Sequence, residues 1–207
     1  MRFVLSVVLF AVLGAPACAS TQLTSMTASE ARGRTVDRIL VLAEIGDLAM
    51  MQAAENALAR STESIVCDPI CRSGDSVFVA AHTVLFPGRS YSADTLAAIL
   101  RQYAIDAVLV LSPSASGMAE SFVPPTLTTT CATWNSITTC NTRASGGAVI
   151  RKPWATYAAR LIDVNNGATL WIATSRSSGS AFATFTTLLD SVALETVKRL
   201  RTDGFIR

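Results

Sequence analysis

Few residues of this 207-residue chain are of a type and spacing that could perform chemistry. His82 is the one histidine, so a Ser–His or Cys–His catalytic pair would have to use it. In a run that is predicted to be a strand, it shares a face with Phe78 and Val84, which is the position of a packed residue. We therefore predict a structural role for His82.

Paired carboxylates are the other candidates, because glycosidase-like hydrolysis requires two of them in one cleft. Glu44 follows a predicted strand and Asp106 precedes one, so parallel strands would place them at opposite sheet edges. We expect Asp106 to stabilise the helix-to-strand connection in which it lies, and Asp163 to accept backbone N–H groups in a turn. No serine-hydrolase, zinc-protease or nucleotide-binding pattern occurs. The sequence therefore predicts no catalytic residues and no cofactor.

Cysteine usage indicates an oxidising compartment. Besides Cys18, the chain has an even set of four cysteines, namely Cys67, Cys71, Cys131 and Cys140. Three pairings are possible, and we favour local pairing of Cys67 with Cys71 and of Cys131 with Cys140, since each pair flanks a short turn. A zinc site is the alternative, but it would need Cys-x2-Cys spacing and usually histidine, so no metal is predicted.

The N-terminus has the layout of a signal peptide: Arg2, an apolar stretch over 3–13, then small residues. The stretch is too short for a membrane span. Ordinary cleavage would remove residues 1–19 and leave a free periplasmic or secreted protein. The run Ala15-Pro16-Ala17-Cys18 instead resembles a bacterial lipobox, in which case the signal ends at 17 and Cys18 is the lipid attachment site. An uncleaved anchor is the remaining reading. Residues 20–36, rich in Ser and Thr, are predicted to be a flexible tether.

Charge excludes one class of partner. The formal charge is +2 and no run of Lys or Arg occurs, so nucleic-acid binding is not expected.

Hydrophobic periodicity predicts one α/β domain over 37–207, with a mixed β-sheet covered by helices. The predicted order is β-α-β-α-β, then a β-hairpin and a last helix. Strands are expected over 38–44, 76–86 and 105–111, with helices over 48–61 and from Ser92 to about 103. In the first helix, Gln52, Glu55 and Asn56 should face water. A hairpin over 155–164 and 168–176 turns at Asn165-Asn166-Gly167, and a helix after Gly179 ends at Gly204.

Residues 118–150 interrupt this pattern with Pro, Gly and many Thr. We interpret them as an irregular β excursion stapled by Cys131 and Cys140, and as the most plausible binding surface. Trp134, Ile137 and Trp154 are the candidate partner-binding residues, because aromatic side chains are enriched at interface hot spots. A Trp folded back onto the domain is the alternative.

Two segments resemble a known group of proteins. Ala104-Ile-Asp-Ala-Val-Leu-Val110, and the later segment from Ala155 to Trp171 with its Leu-Ile-Asp-Val-Asn-Asn-Gly core, look like signatures of small bacterial envelope lipoproteins. These are similar in architecture to CsgG, LpoB and the N-terminal domain of TolB. The resemblance covers about residues 37–201, and the 118–150 insertion is not part of it.

The resemblance implies a fold and a location: the periplasm, with an N-terminal lipid anchor in the outer membrane. It also implies partners, because members of the group bind envelope proteins or assemble into export machinery. We therefore expect an envelope lipoprotein interaction domain without enzyme activity. The alternatives are a subunit of an oligomeric envelope or secretion assembly, and an envelope hydrolase, for which His82→Ala or Glu44→Gln would abolish activity without unfolding.

Overall fold

The computed structural model describes residues 18–66, 77–134 and 137–207, with the backbone alone at 62–66, 134 and 137. The predicted signal peptide therefore lies outside the described residues, except for its last positions, and so do Cys67 and Cys71. The strands are β1 (Ala19–Thr27), β2 (Arg38–Ala43), β3 (Val77–Ala80), β4 (Ala107–Val123), β5 (Thr126–Trp134), β6 (Ile137–Ser145), β7 (Ala148–Asp163) and β8 (Thr169–Gly179). The helices are α1 (Leu48–Val66), α2 (Ala93–Gln102) and α3 (Phe185–Thr202).

The predicted α/β class and mixed sheet are confirmed. Six strands form one sheet in the order β1-β8-β7-β4-β2-β3, while β5 and β6 pair with each other. β2 is parallel to β3 and β4, and the β4-β7-β8-β1 part is antiparallel. The parallel half consists of two strand-helix-strand units. In each unit the helix returns the chain to the end of the sheet where the previous strand began, so the next strand runs parallel to it.

The prediction of a flexible tether over 20–36 is wrong, because its first part forms β1 and because Ala31 and Val36, which follow, are buried in the core. β1 pairs with β8 along its whole length, from Ala19 opposite Gly179 to Thr27 opposite Trp171. Leu23 packs against the core, and Ser25 donates to Asp203, which follows α3 (2.7 Å). Short Ser and Thr side chains suit a half-buried edge strand, and without β1 the edge of β8 would be unpaired.

Helices α1 and α3 cover one sheet face over the main core. Leu109 and Leu111, from the first part of β4, are buried there with Leu58 of α1 and Leu188 of α3. Helix α2 packs on the other face through Leu96 and Leu100, against the β2-β3-β4 side only. The predicted central strand is thus buried on both faces, as its continuous apolar sequence indicates.

The last hairpin and helix also match the prediction. Leu161 pairs with Trp171 across β7 and β8, and Gly167 has a positive φ of 69° in the turn. Asp163 accepts the Asn165 N–H at 2.8 Å and forms an ion pair with Arg34. Helix α3 is followed by Gly204 at φ 84°, the left-handed conformation that suits glycine.

The second predicted strand is much shorter than the 76–86 expected. It ends at Ala80, and Ala81–Thr83 form a turn of 3-10 helix that contains His82. Alternation of apolar residues predicts extended structure, but here the backbone turns because the His82 amide and ring both bind a buried carboxylate of α1.

Candidate functional site

The most prominent feature is a long two-stranded β-ribbon. Beyond the sheet, β4 and β7 continue to pair with each other as far as Val123 opposite Ala148. β5 and β6 carry on in the same register, from Thr126 opposite Ser145 to Trp134 opposite Ile137. We call residues 118–134 and 137–153 the ribbon. At about 3.3 Å per residue it extends roughly 50 Å beyond the sheet.

The predicted excursion is therefore regular, not irregular. Pro124-Pro125 lies opposite Gly146-Gly147, where the register is kept although proline has no N–H to donate. Both of these glycines have positive φ, at 83° and 90°. Proline and glycine predict an interrupted element, but here they interrupt the strand pairing at one place only, and the register is the same on both sides of it.

The ribbon exposes large apolar side chains. Phe122 is 67% exposed and Leu127 is 68% exposed, and Met118, Val123 and Val149 are exposed as well. Cross-strand pairs share a face, as the bonded hydroxyls of Thr129 and Thr142 show (2.8 Å). Apolar groups in water on a two-stranded element are unfavourable unless a partner covers them.

The outer edges of the ribbon are unpaired within the described residues. β2 pairs with β4 only as far as Leu111, and β8 pairs with β7 only from Trp154 onward. From there to the tip, each ribbon strand has free backbone N–H and C=O groups on one side. Such edges are templates for pairing with another chain.

The predicted Cys131–Cys140 disulfide is confirmed, and it clasps the outer half of the ribbon at a directly opposed pair. Replacing both cysteines by serine removes a ten-residue loop closure, worth about 2.5–3 kcal/mol in the chain-entropy model. Because these residues lie outside the core, we expect a local effect. Tryptic cleavage after the exposed Arg143 should accelerate by about tenfold or more, while the melting temperature of the domain shifts by less than about 2 °C. A large shift of the melting temperature would instead show that the ribbon unfolds together with the core.

The three candidate binding residues lie along this element. Trp134 and Ile137 form the last pair before the tip, and their side chains are outside the described residues. Trp154 lies at the root of the ribbon, where it is half-buried beneath the Arg176 guanidinium, 5.8 Å from the ring centre. Its role in partner binding stays a prediction.

Cys18 lies at the same end of the sheet as the root of the ribbon. Its carbonyl accepts the Ser180 N–H (2.9 Å), and the following Ala19 pairs with the last residue of β8. Cys18 is exposed and forms no disulfide with a described cysteine. In the part of the chain that the structure describes, no helix is long and apolar enough to cross a membrane.

A buried carboxylate that the sequence assigned to the water-facing side holds three elements together. Glu55 is fully buried and accepts the Ala43 N–H (3.1 Å), the His82 N–H (2.8 Å) and the His82 ring Nδ1 (2.6 Å). These hydrogen bonds link α1 to β2 and to the turn after β3. A cavity of about 160 Å³ adjoins the pair. Glu55 and His82 are 27 positions apart in the sequence, so no local pattern predicts this contact.

Two further carboxylates accept hydrogen bonds from neighbouring strands. Asp106 accepts the N–H groups of Arg38 (2.9 Å) and Asp37 (3.2 Å), so it secures the start of β2 more than its own connection. Glu44 accepts the Ser112 hydroxyl. Because β2 and β4 are parallel, Glu44 and Asp106 lie at opposite edges, as predicted. Among the described residues, no three His, Cys, Asp or Glu side chains are grouped as metal ligands.

Tyr157 packs where the ribbon joins the sheet, opposite Ser175 of β8. Burial raises the pKa of its phenol above the ordinary value of 10.0. As pH rises, the Tyr157 phenol therefore ionises in the unfolded chain before it ionises in the folded one. The contribution of Tyr157 to the free energy of unfolding is fully present below pH 10 and is lost as pH rises through the folded pKa. Urea unfolding at pH 8–11 should show this loss of stability. The Tyr157→Phe variant should lack the part of the loss that comes from Tyr157. An identical pH profile in the two proteins would contradict it.

Comparison with known proteins finds no matching family model and no matching curated protein. Among solved structures, a PelC dodecamer from Paraburkholderia phytofirmans aligns with 92% of this chain and 100% of its own, at 15% identity and a TM-score of 0.46. Lipoprotein GNA1162 from Neisseria meningitidis aligns with 80% of this chain and 98% of its own, at 18% identity and a TM-score of 0.36.

Proposed function

We propose that this chain is a non-enzymatic interaction domain of the bacterial cell envelope, anchored by lipid at Cys18, that binds envelope proteins through its ribbon. The observation that carries the proposal is the ribbon itself: a roughly 50 Å element with exposed Phe122 and Leu127 and two unpaired edges. A partner that covers these groups would satisfy the backbone and remove apolar surface from water.

The position of Cys18 supports the anchoring part of the proposal. It is exposed and sits beside the root of the ribbon, so a lipid there would hold the ribbon near a membrane surface. Intact-mass analysis of the mature protein tests this directly. We expect a diacylglyceryl group on Cys18, and a mature chain that begins after Cys18 without lipid would contradict it.

Site-specific photo-crosslinking tests the binding surface. A photoreactive phenylalanine analogue at Phe122 should form adducts with envelope proteins in intact membranes. The matched control is the same analogue at Phe86, which is similarly exposed (73%) but lies on the loop before α2. Adducts of equal yield and identity from both positions would contradict a specific role for the ribbon.

A second candidate is a subunit of an oligomeric envelope or secretion assembly, in which copies pair through ribbon edges. Charge favours it: the β4-β5 side of the ribbon carries Glu120, whereas the β6-β7 side carries Arg143, Arg151 and Lys152. Within one chain, Glu120 and Arg151 already form an exposed ion pair (2.9 Å). In an assembly, this pair would be exchanged for the same pair formed between two copies. Sedimentation of detergent-extracted protein strictly as a monomer would contradict this candidate.

A further inference from the structure

A second surface is left uncovered by the fold. α2 covers one sheet face only over β2, β3 and β4, so β7, β8 and β1 present the same face without a helix from the described residues. We call this surface the open face. Its alternate residues are exposed where their neighbours in sequence are buried: Ile172 is 43% and Met26 is 69% exposed, while Trp171 is 1% exposed.

The open face contains a shallow apolar depression. It has a volume of about 410 Å³ and is lined by Met26, Ile172 and Ala158 together with Arg160. Met26 pairs with Ile172, which in turn lies opposite Arg160 across β8 and β7. One rung of the sheet thus places two exposed apolar side chains beside a cation.

The charge of the open face has one sign. Arg160 and Arg176 project from it, and no residue of β7, β8 or β1 that faces this side is acidic. Neither Arg160 nor Arg176 forms an ion pair with a carboxylate among the described residues, and the Arg176 guanidinium lies over the ring of Trp154. Beside these strands, the acidic Glu44 binds Ser112 of β4, which pairs with Ala158 at the depression.

The two arginines have a defined spacing. Thr156 pairs with Arg176, and Arg160 lies four residues further along β7, so the backbone positions of the two arginines are separated by roughly 13 Å along the strands. An extended polypeptide with acidic residues at positions i and i+4 spans the same distance. Guanidinium groups bind carboxylates by charge-assisted, often bidentate hydrogen bonds.

We infer that the open face binds an acidic, extended polypeptide segment, whose carboxylates pair with Arg160 and Arg176 and whose apolar side chains enter the depression at Met26 and Ile172. This surface is distinct from the ribbon and goes beyond the proposed function. Charge complementarity selects the occupant, because an apolar partner would leave two cations unpaired and a basic one would be repelled.

The test uses a fluorescein-labelled peptide of alternating Glu and Ala, about twenty residues long, and its Gln–Ala counterpart. The full chain should bind the acidic peptide at least about tenfold more tightly than the neutral one. Arg160→Gln combined with Arg176→Gln should weaken binding by about tenfold or more. The matched control, Arg89→Gln with Arg101→Gln, removes the same charge from the loop before α2 and from α2 itself, and should change binding by less than about twofold.

Several outcomes would overturn the inference. Equal weakening by both double variants would indicate attraction by net charge alone, and equal binding of both peptides would exclude carboxylate recognition. Binding of anionic phosphatidylglycerol vesicles, but not of the peptide, through Arg160 and Arg176 would assign the face to lipid. A concentration-dependent dimer that is lost in the Arg160→Gln, Arg176→Gln variant would assign it to a second copy. Photo-crosslinking from Phe122 should persist in that variant, which separates this test from that of the ribbon.

Discussion

Replacing Glu55 by alanine is expected to lower the free energy of unfolding by about 3–5 kcal/mol, the largest single-residue effect on stability that we predict. The carboxylate is fully buried and accepts two backbone N–H groups and the His82 ring. Alanine would leave these donors without an acceptor at the junction of α1, β2 and the turn after β3. Urea unfolding at neutral pH measures the change.

Two further variants make this test specific. His82→Ala should cost less than Glu55→Ala, because the carboxylate would keep both backbone donors. Glu195→Ala removes an exposed ion pair with Lys198 and should cost less than about 1 kcal/mol. If Glu55→Ala unfolds within about 1 kcal/mol of the unmodified chain, the buried carboxylate does not hold these elements together.

Shortening the ribbon is expected to abolish partner binding while the domain stays folded. Replacing residues 120–151 by Asn-Gly joins Ala119 and Lys152, which are directly opposed, through a turn that suits a two-residue hairpin. The described side chains in this range are almost all exposed and belong to neither core cluster, so the free energy of unfolding should change by less than about 1 kcal/mol. Unfolding of the shortened chain at ordinary temperature would show that the ribbon is part of the folding unit.

The sequence predicts the body of the fold well where its signals are periodic. The apolar run from Val108 to Leu111, the helix capped by Ser92 and the turn at Asn166-Gly167 each combine hydrophobic pattern with local chemistry that points to the same structure. The Cys131–Cys140 pairing is also predictable from the sequence, because the short loop between the two cysteines can be closed at little entropic cost.

The sequence predicts less where tertiary contacts decide. The Ser- and Thr-rich segment after Cys18 has little hydrophobic signal, and it becomes β1 because β8 has an edge to be paired. Glu55 resembles any polar residue of an amphipathic helix until His82 is brought against it. In the sequence, Pro124-Pro125 and Gly146-Gly147 predict breaks in the ribbon, and only their alignment across the two strands keeps the register.

The most direct test of the account is quantitative mass spectrometry of proteins crosslinked in membranes to the full chain and to the chain shortened between 119 and 152. Both carry the same affinity tag and are compared at equal abundance. We predict at least one envelope protein that is enriched about tenfold or more with the full chain and is absent with the shortened chain. Recovery of the same proteins in the same amounts with both chains would contradict a function that depends on the ribbon.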